Sequence, residues 1–315
     1  MNGSTARRSR HVATAVLAAA SLVALAGCGG SGDDKAAGKR DKGATAAPTA
    51  TATATAGGSP LSGAVNALTA LDLVRKTTDG AHSARVETTL SVGTTMSMHL
   101  KGSLDWADGL QGAMTIDYSG GAVDQAPQGG LPTSIQARYL KDAYYANMGD
   151  EMAGYLGGKH WIRYDYDDLA SLAGSAGASM KDTIQNGNPV KGLDVVLASP
   201  DIKKVGTATV RGVTATHYHG TLDLAGIGKA VALSAQSRKT LLDSFTRTGI
   251  SSETVDLWVS QDNLPVEAAT TANSKSGAVR STTYYTDYGT PVHVSAPSPF
   301  DTVDFSEAMN GLTNS

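Results

Sequence analysis

Apolar side chains recur at helical spacing at the start of the region that follows residue 59. Successive members stand three or four residues apart, which places them on one face of a helix. These members are Leu61, Val65, Leu68, Leu71 and Val74. The pattern predicts a helix over 60–78, which the polar pair Asp79-Gly80 ends.

From residue 85 the period of the pattern changes to two, as in strands with one buried and one wet face. The first strand covers 85–92, and the next two runs repeat its alternation. Their apolar parity comprises Met96, Met98, Leu100, Leu104, Trp106, Leu110, Met114, Ile116 and Tyr118. Further strands are predicted at Ser134–Leu140, Ala143–Met148, Trp161–Tyr166, Lys203–Val210, Ala215–Leu224, Ser252–Ser260, Pro265–Ala272 and Val279–Tyr288.

Short connections such as Lys141-Asp142 favour antiparallel pairing of these strands. Helical segments are predicted to interrupt them at Asp167–Ser179, Asn188–Ala198 and Leu224–Ser244. A single sheet of about ten strands tends to curl, and its apolar face must be covered. We therefore predict an α+β fold: a large curled antiparallel β-sheet, a half-barrel, with helices that cover the concave face and can leave a cavity.

The amino terminus has the organisation of an export signal. Three arginines precede residue 11 without any acid, and 12–26 is apolar apart from Thr14 and Ser21. The apolar run is shorter than the ~20 residues that a membrane-spanning helix needs. We therefore interpret residues 1–27 as a cleaved signal peptide.

The sole cysteine of the chain directly follows this segment. Leu25-Ala26-Gly27-Cys28 resembles the bacterial lipobox, which implies that Cys28 receives a diacylglycerol and becomes the first residue after cleavage. Two or three acyl chains hold a protein firmly on a membrane, whereas one binds reversibly. We expect an anchor on the extracytoplasmic face of the cell membrane.

The segment that follows is rich in Ala, Thr and Gly and contains no large apolar residue. We expect 28–59 to be a disordered tether that holds the domain at 60–315 on the order of 30 Å from its anchor. The formal net charge of the chain is −3, and no long basic run follows the tether. Both observations disfavour nucleic acid as a partner.

Three stretches within the domain carry a family resemblance. They are V-R-G-V-T-A-T-H-Y-H-G in 210–220, V-D-x-W-V with a following L-P in 255–265, and D-Y-G-T-P-V-x-V-x-x-P in 287–297. Together with the lipobox they resemble actinobacterial lipoproteins of the LppX/LprAFG type, which are related in shape to the LolA/LolB carriers. The resemblance implies a half-barrel whose hollow accepts acyl chains, for carriage of lipids or lipoglycans through the envelope.

Four other groups of residues contain side chains that can serve in catalytic or metal-binding sites. The stretch 173–177 lacks the first glycine and the preceding strand of a serine nucleophile elbow. His217 and His219 share one side of a strand but have no evident third metal ligand. Asp165, Asp167 and Asp168 could form an acid pair or a calcium site, but they lack the glycine and closing glutamate of a calcium loop, and we expect them to start a helix that Asp167 or Asp168 caps. We expect Tyr284, Tyr285 and Tyr288 to be sheet-packing or interface residues.

These observations favour a membrane-anchored binding protein that is not an enzyme and uses no cofactor or metal. We expect a lipid or lipoglycan acyl chain as ligand, with an envelope transporter or another protein as a further partner. The candidate cavity wall is Met96, Met98, Leu100, Leu104, Trp106, Met114 and Ile116. The alternative is a structural or sensory lipoprotein with a filled core that docks a protein partner.

Overall fold

The fold is taken from a computed structural model that describes residues 60–120, 132–168, 189–230, 233–274 and 277–313. The signal peptide, Cys28, the tether and the serine stretch 173–177 lie outside these ranges, as does most of the helix expected at 167–179.

The described chain begins with a long helix and continues mainly as strands. The helices are α1 (Pro60–Ala81), α2 (Gly149–Ala153), α3 (Pro189–Ala198), α4 (Leu224–Lys229), α5 (Ala235–Thr248) and α6 (Phe305–Thr313). The strands are β1 (Ser83–Val92), β2 (Met96–Asp105), β3 (Gln111–Ser119), β4 (Ser134–Tyr139), β5 (Ala143–Asn147), β6 (Trp161–Asp165), β7 (Lys203–Val210), β8 (Val213–Asp223), β9 (Ser252–Val259), β10 (Pro265–Ser274), β11 (Gly277–Thr286) and β12 (Thr302–Asp304).

All of these strands form one sheet with the order β12-β6-β5-β4-β3-β2-β1-β11-β10-β9-β8-β7. Every pairing is antiparallel except that of β12 with β6. In the described part of the chain the end strands β7 and β12 do not pair with each other, so the sheet is open. The predicted α+β fold with one large sheet and several helices is confirmed.

The carboxyl-terminal part departs from the prediction. The pattern did not predict β12 or α6, and β12 is parallel to β6, with Thr302 opposite Trp161. A parallel neighbour requires a long connection. The chain from 166 to 301 is this connection, and its last part, 287–301, leads from β11 to β12. Two hydrogen bonds fasten this last part: Ser83 Oγ donates to the carbonyl of Thr290, and an Arg138 guanidinium nitrogen donates to that of Ser295.

One face of the sheet, here called the inner face, is largely buried. The register aligns Val86 with Gly102 and Tyr285, and Leu90 with Met98 and Ser281, so alternate residues of every strand share this face. Along β1 the buried residues of this face are Ala84, Val86, Thr88 and Leu90, and Ser83 at the start of the strand is buried as well. The predicted alternation of apolar and polar residues is therefore present in the structure.

Two hydrophobic clusters cover the inner face. The strand cluster lies over β1–β6 and β12 and is closed by α6. In it, a row of rings from Tyr139, Tyr144, Tyr164 and Phe305 has neighbouring centroids 5.1, 5.5 and 5.0 Å apart. The helix cluster joins α1, α3, α4 and α5 to β8–β10.

Helix α1 connects the helix cluster to the sheet. Its buried side chains include Ala67, Leu71 and Val74, which belong to the predicted apolar stripe or lie beside it. The indole of Trp106 donates a hydrogen bond to the carbonyl of Thr78 at 3.1 Å. This bond fixes the last turns of α1 at the end of β2.

Strands β2 and β3 approach so closely that two glycines are required between them. A Cβ atom on Gly102 would lie 2.1 Å from the carbonyl oxygen of Ala113 and 2.7 Å from the Cα of Met114. A Cβ atom on Gly112 would lie 2.3 Å from the carbonyl oxygen of Ser103. Both obstructions are backbone atoms, so a side chain here requires the strands to separate.

We expect Gly102→Ala to lower the free energy of unfolding by about 2 kcal/mol or more, because the backbone of β3 must shift to admit the methyl group. Gly206→Ala on β7 is the matched control, since a Cβ there meets nothing within 4 Å. Urea unfolding of both variants measures the difference. Equal stabilities would contradict the close approach.

Candidate functional site

A cavity of about 500 Å³ lies between the inner face and the two helices α3 and α5. Its floor comes from β1, β9, β10 and β11, and its cover includes Leu193 and Val196 of α3 with Leu241 and Phe245 of α5. The volume falls within the roughly 300–1,000 Å³ of small-molecule pockets. The sheet is thus incompletely filled on this side.

The sizes of the floor residues explain this space. Ala268, Thr270, Ser281 and Thr283 occupy adjacent inner-face positions of β10 and β11. The corresponding positions in the strand cluster hold large side chains such as Tyr139, Tyr144 and Ile116. The floor residues are too small to reach the helices that lie over the sheet. A space therefore remains between the floor and these helices.

Defined caps hold the cover in place. Ser234 caps the amino end of α5 by accepting a hydrogen bond from the amide of Ser237, and Gly249 ends the helix with a φ of 67°. The Ser237 hydroxyl donates to a carboxylate oxygen of Asp194 on α3 at 3.2 Å. Arg238 donates to the carbonyls of Ala230 and Leu233 at 3.0 and 2.6 Å. The two covering helices are therefore linked to each other and to the chain before α5.

A strip of polar side chains crosses the otherwise apolar inner face beneath this cover. It runs over four strands, and we call it the polar strip. Its members are Glu253, Thr270, Ser281, Thr283 and Thr88. Thr88 and Thr283 are hydrogen-bonded to each other at 3.0 Å, and all members except Thr88 line the cavity.

Glu253 is the acidic member of the strip and is only 3% exposed. Burial raises its pKa from the ordinary 4.5 to about 7, against the opposing effect of a hydrogen bond from Thr270. Its neighbours on the adjacent strands are Leu222 and Ala272, which are apolar. None of the ion pairs in the described ranges includes Glu253.

Few other charged groups line the cavity. Lys239 and Asp243 of α5 pair with each other at 2.6 Å. Asp256 also borders it, but its carboxylate contacts His217 and His219 at 2.7 and 2.9 Å. The remaining titratable residues of the lining are Asp194 and Tyr285. Glu253 therefore has no nearby cation to stabilise its ionised form among these side chains.

The seven residues proposed from the sequence as a cavity wall lie elsewhere on the same face. Six of them are buried in the strand cluster and the seventh, Met96, packs against it half-buried. The full set is Met96, Met98, Leu100, Leu104, Trp106, Met114 and Ile116. None of them lines the cavity under α3 and α5, nor a second, more open cavity of about 410 Å³ beside Arg85 and His293.

The structure also places the other residues singled out in the sequence. His217 and His219 lie on the outer face, where they share one oxygen of Asp256, and His217 stacks on Trp258 at 4.3 Å. Asp165 accepts a hydrogen bond from the amide of Asp167 and pairs with Arg163.

The three tyrosines near the carboxyl end of β11 have different surroundings. Tyr285 lines the cavity, and the Tyr288 hydroxyl donates to the carbonyl of Pro265 at 3.0 Å. The guanidinium of Arg211 lies over the ring of Tyr284, with its central carbon 3.6 Å from the ring centre. Only Tyr285 of these three contributes to the candidate site.

The sequence contained a signal for Glu253 that our interpretation did not use. Glu253 has the same parity as Val255, Leu257 and Val259 in a strongly alternating strand, so it stands in the apolar register. An acid in that register is buried when the strand forms. The cover of the cavity had no comparable signal, because it depends on which helices lie over which strands.

Comparison with known proteins identifies two close sequence relatives. A scan against models of protein families finds no match. An uncharacterized 31.2 kDa protein of Streptomyces griseus is 49% identical over 242 residues, which are 76% of this chain and 79% of that protein. A candidate lipoprotein of Streptomyces coelicolor is 36% identical over 314 residues, 98% of both chains.

Solved structures similar to this chain include two mycobacterial lipoproteins. LprF from Mycobacterium bovis is 15% identical, with a TM-score of 0.45 over 74% of this chain and 98% of LprF. LppX from Mycobacterium tuberculosis is 14% identical, with a TM-score of 0.44 over 73% of this chain and 99% of LppX. These are proteins of the group that the sequence motifs resemble. The fold described above rests on the strand order and register of the chain itself.

The helices were also compared with the requirements of a membrane span. Within the described ranges, none combines the length and the apolar character needed to cross a bilayer.

We expect Glu253→Gln to remove a pH dependence of stability. Because the folded-state pKa of Glu253 is raised, the folded protein binds more protons than the unfolded chain between pH 4.5 and about 7. Stability therefore falls as pH rises through this window, by on the order of 3 kcal/mol in total. The amide variant lacks this loss, so it is more stable than wild type at pH 8 and similar to it at pH 4.

Urea unfolding at pH 4, 6 and 8 measures the effect. Glu151→Gln, at an exposed position of α2, is the control and should follow the wild type. A parallel pH profile for wild type and Glu253→Gln would show that Glu253 ionises normally in the folded protein.

Proposed function

Because this chain belongs to the same family as the candidate lipoprotein of Streptomyces coelicolor, we propose that it is a lipid-anchored binding protein of the cell envelope. In this proposal Cys28 carries the anchor, and the cavity under α3 and α5 binds the apolar part of a lipid or lipoglycan. The protein then carries or presents this ligand and performs no catalysis on it. The observation that carries the proposal is the incompletely filled, mostly apolar space beneath the two helices.

The shape of the cavity favours one extended chain as its occupant. Its floor extends along β9 from Glu253 to the level of Val259 and Pro265, six residues or about 20 Å. A volume of about 500 Å³ over this length gives a mean cross-section of about 25 Å². Carbon atoms in contact lie about 3.5–4.0 Å apart, so a space about 5 Å across admits one unbranched chain but not two side by side.

Binding requires only burial of the ligand. An acyl chain that enters the cavity loses its contact with water, and each buried methylene contributes about 0.8 kcal/mol. The covering helices contact the floor through apolar side chains of the helix cluster and take no part in the hydrogen bonds of the sheet, so they can separate from the floor without breaking the sheet. This arrangement suits a reversible binding site.

The amino-terminal sequence supports the anchored location. The lipobox-like Leu25–Cys28 follows a charged and then apolar leader, and no other cysteine is present in the chain. A tether of about 30 residues gives the domain a reach on the order of 30 Å from the membrane surface. The binding domain can therefore meet lipids or proteins of the envelope while it remains attached.

We expect Ala268→Trp to weaken ligand binding strongly, because an indole at the centre of the floor occupies the space that a chain needs. Binding of the neutral apolar probe N-phenyl-1-naphthylamine to the purified Cys28→Ala protein, which needs no detergent, should weaken by about tenfold or more. Ala208→Trp, at an exposed position of β7, is the matched control and should bind as the parent does.

Two results would contradict the binding proposal. The parent protein could fail to bind the probe at all, which would favour the alternative of a lipoprotein that docks a protein partner. Alternatively, Ala268→Trp could fold and bind the probe as well as the parent, which would place binding outside this cavity.

We expect Cys28→Ala to release the protein from the membrane, because the thiol is the proposed site of the lipid anchor. Fractionation of the producing cells should find the variant in the soluble fraction or the medium, and Ser31→Ala in the tether should remain with membranes. A Cys28→Ala protein that stays in the membrane fraction would show that another segment attaches it.

A further inference from the structure

The polar strip gives the cavity a chemical preference. We propose that the cavity accepts a single-chain amphiphile whose polar group donates hydrogen bonds to Glu253, so that an amine or hydroxyl head is preferred to a carboxylate head. This inference rests on the proposed function, because it names the class of ligand that the same cavity binds.

The position of Glu253 assigns an orientation to the ligand. Glu253 lies at one end of the floor, at the level of Ala272, whereas Pro265 and Tyr285 lie at the other end. The floor between these ends holds Val255, Leu257 and Ala268 with the small polar residues of the strip. An amphiphile aligned with the strands therefore places its head at Glu253 and its chain along this floor.

Desolvation makes Glu253 a strong partner for a donor. A carboxyl group that is 3% exposed, with Leu222 and Ala272 beside it, lacks the water that would stabilise its charge. Thr270 supplies one hydrogen bond and leaves other lone pairs of the carboxylate available. A hydroxyl or ammonium group of a ligand can satisfy them, and charge-assisted bonds of this kind are among the stronger ones in proteins.

An anionic head would meet the opposite situation. Two carboxylates in one apolar site repel each other, and one of them must take up a proton to remain there. Asp194 and Asp243 add acidic groups to the lining, and Lys239 already pairs with Asp243. The charges around the cavity therefore disfavour fatty acids as ligands relative to amines or alcohols of the same length.

The test compares three ligands that share one chain and differ only in their heads. Dodecylamine, dodecanol and dodecanoate, each below its micellar concentration, displace N-phenyl-1-naphthylamine from the Cys28→Ala protein at pH 8. We expect dodecylamine to bind about tenfold or more tightly than dodecanoate, with dodecanol between them. This ranking needs no variant of Glu253, so it is decisive even if substitutions there disturb folding.

Glu253→Gln then identifies the residue responsible. The amide keeps the shape of the side chain but not its charge, so the ratio of dodecylamine to dodecanoate affinity should fall to about threefold or less. Glu267→Gln is the matched control, because Glu267 lies on the adjacent strand β10 and faces the outer side, opposite Trp258 and Tyr284. It should retain the parent ratio.

The outcomes separate this inference from the proposed function. If the probe binds but all three heads displace it equally, or dodecanoate is preferred, the polar strip does not select the ligand and the inference is overturned. The same holds if folded Glu253→Gln keeps the parent ratio. If the probe does not bind the parent protein, the binding function itself is overturned.

Discussion

The open twelve-stranded sheet has one apolar face, and the need to bury that face shapes everything else in the fold. On one half, large side chains fill the space: the rings of Tyr139, Tyr144 and Tyr164 reach Phe305 of the carboxyl-terminal helix. On the other half, helices must bridge the face because Ala268, Ser281 and their neighbours are small. The difference in side-chain volume between the two halves creates the cavity.

Glu253 imposes a cost on this arrangement. Its carboxyl group is enclosed without a cation from the described residues, and this burial raises its pKa because the apolar surroundings disfavour the charged form. An apolar residue would pack better against Leu222 and Ala272. Residues that reduce stability often do so because binding or activity needs them, which connects the buried acid to the proposed choice of ligand.

Much of the sheet could be predicted from the sequence, because alternation over β1 to β3 and at β9 is a local property that burial reinforces. Strand β12 could not be predicted, since its three residues are too few to show a period. Helix α6 did have a signal, because Phe305, Ala308 and Met309 have helical spacing. The candidate wall around Met98 and Leu100 lies on the inner face, in the half that large side chains fill. The small side chains of β10 and β11 distinguish the open half, but the cover depends on where α3 and α5 cross the sheet, and no local pattern encodes that crossing.

The central claim is that this space holds one amphiphile in the living cell. Native mass spectrometry of the Cys28→Ala protein, purified from its own host without detergent, tests the claim most directly. We expect the folded chain to carry one added mass, which organic extraction releases as a single-chain lipid and which the Ala268→Trp variant lacks. A bare chain in both proteins, or the same added mass in both, would contradict the claim.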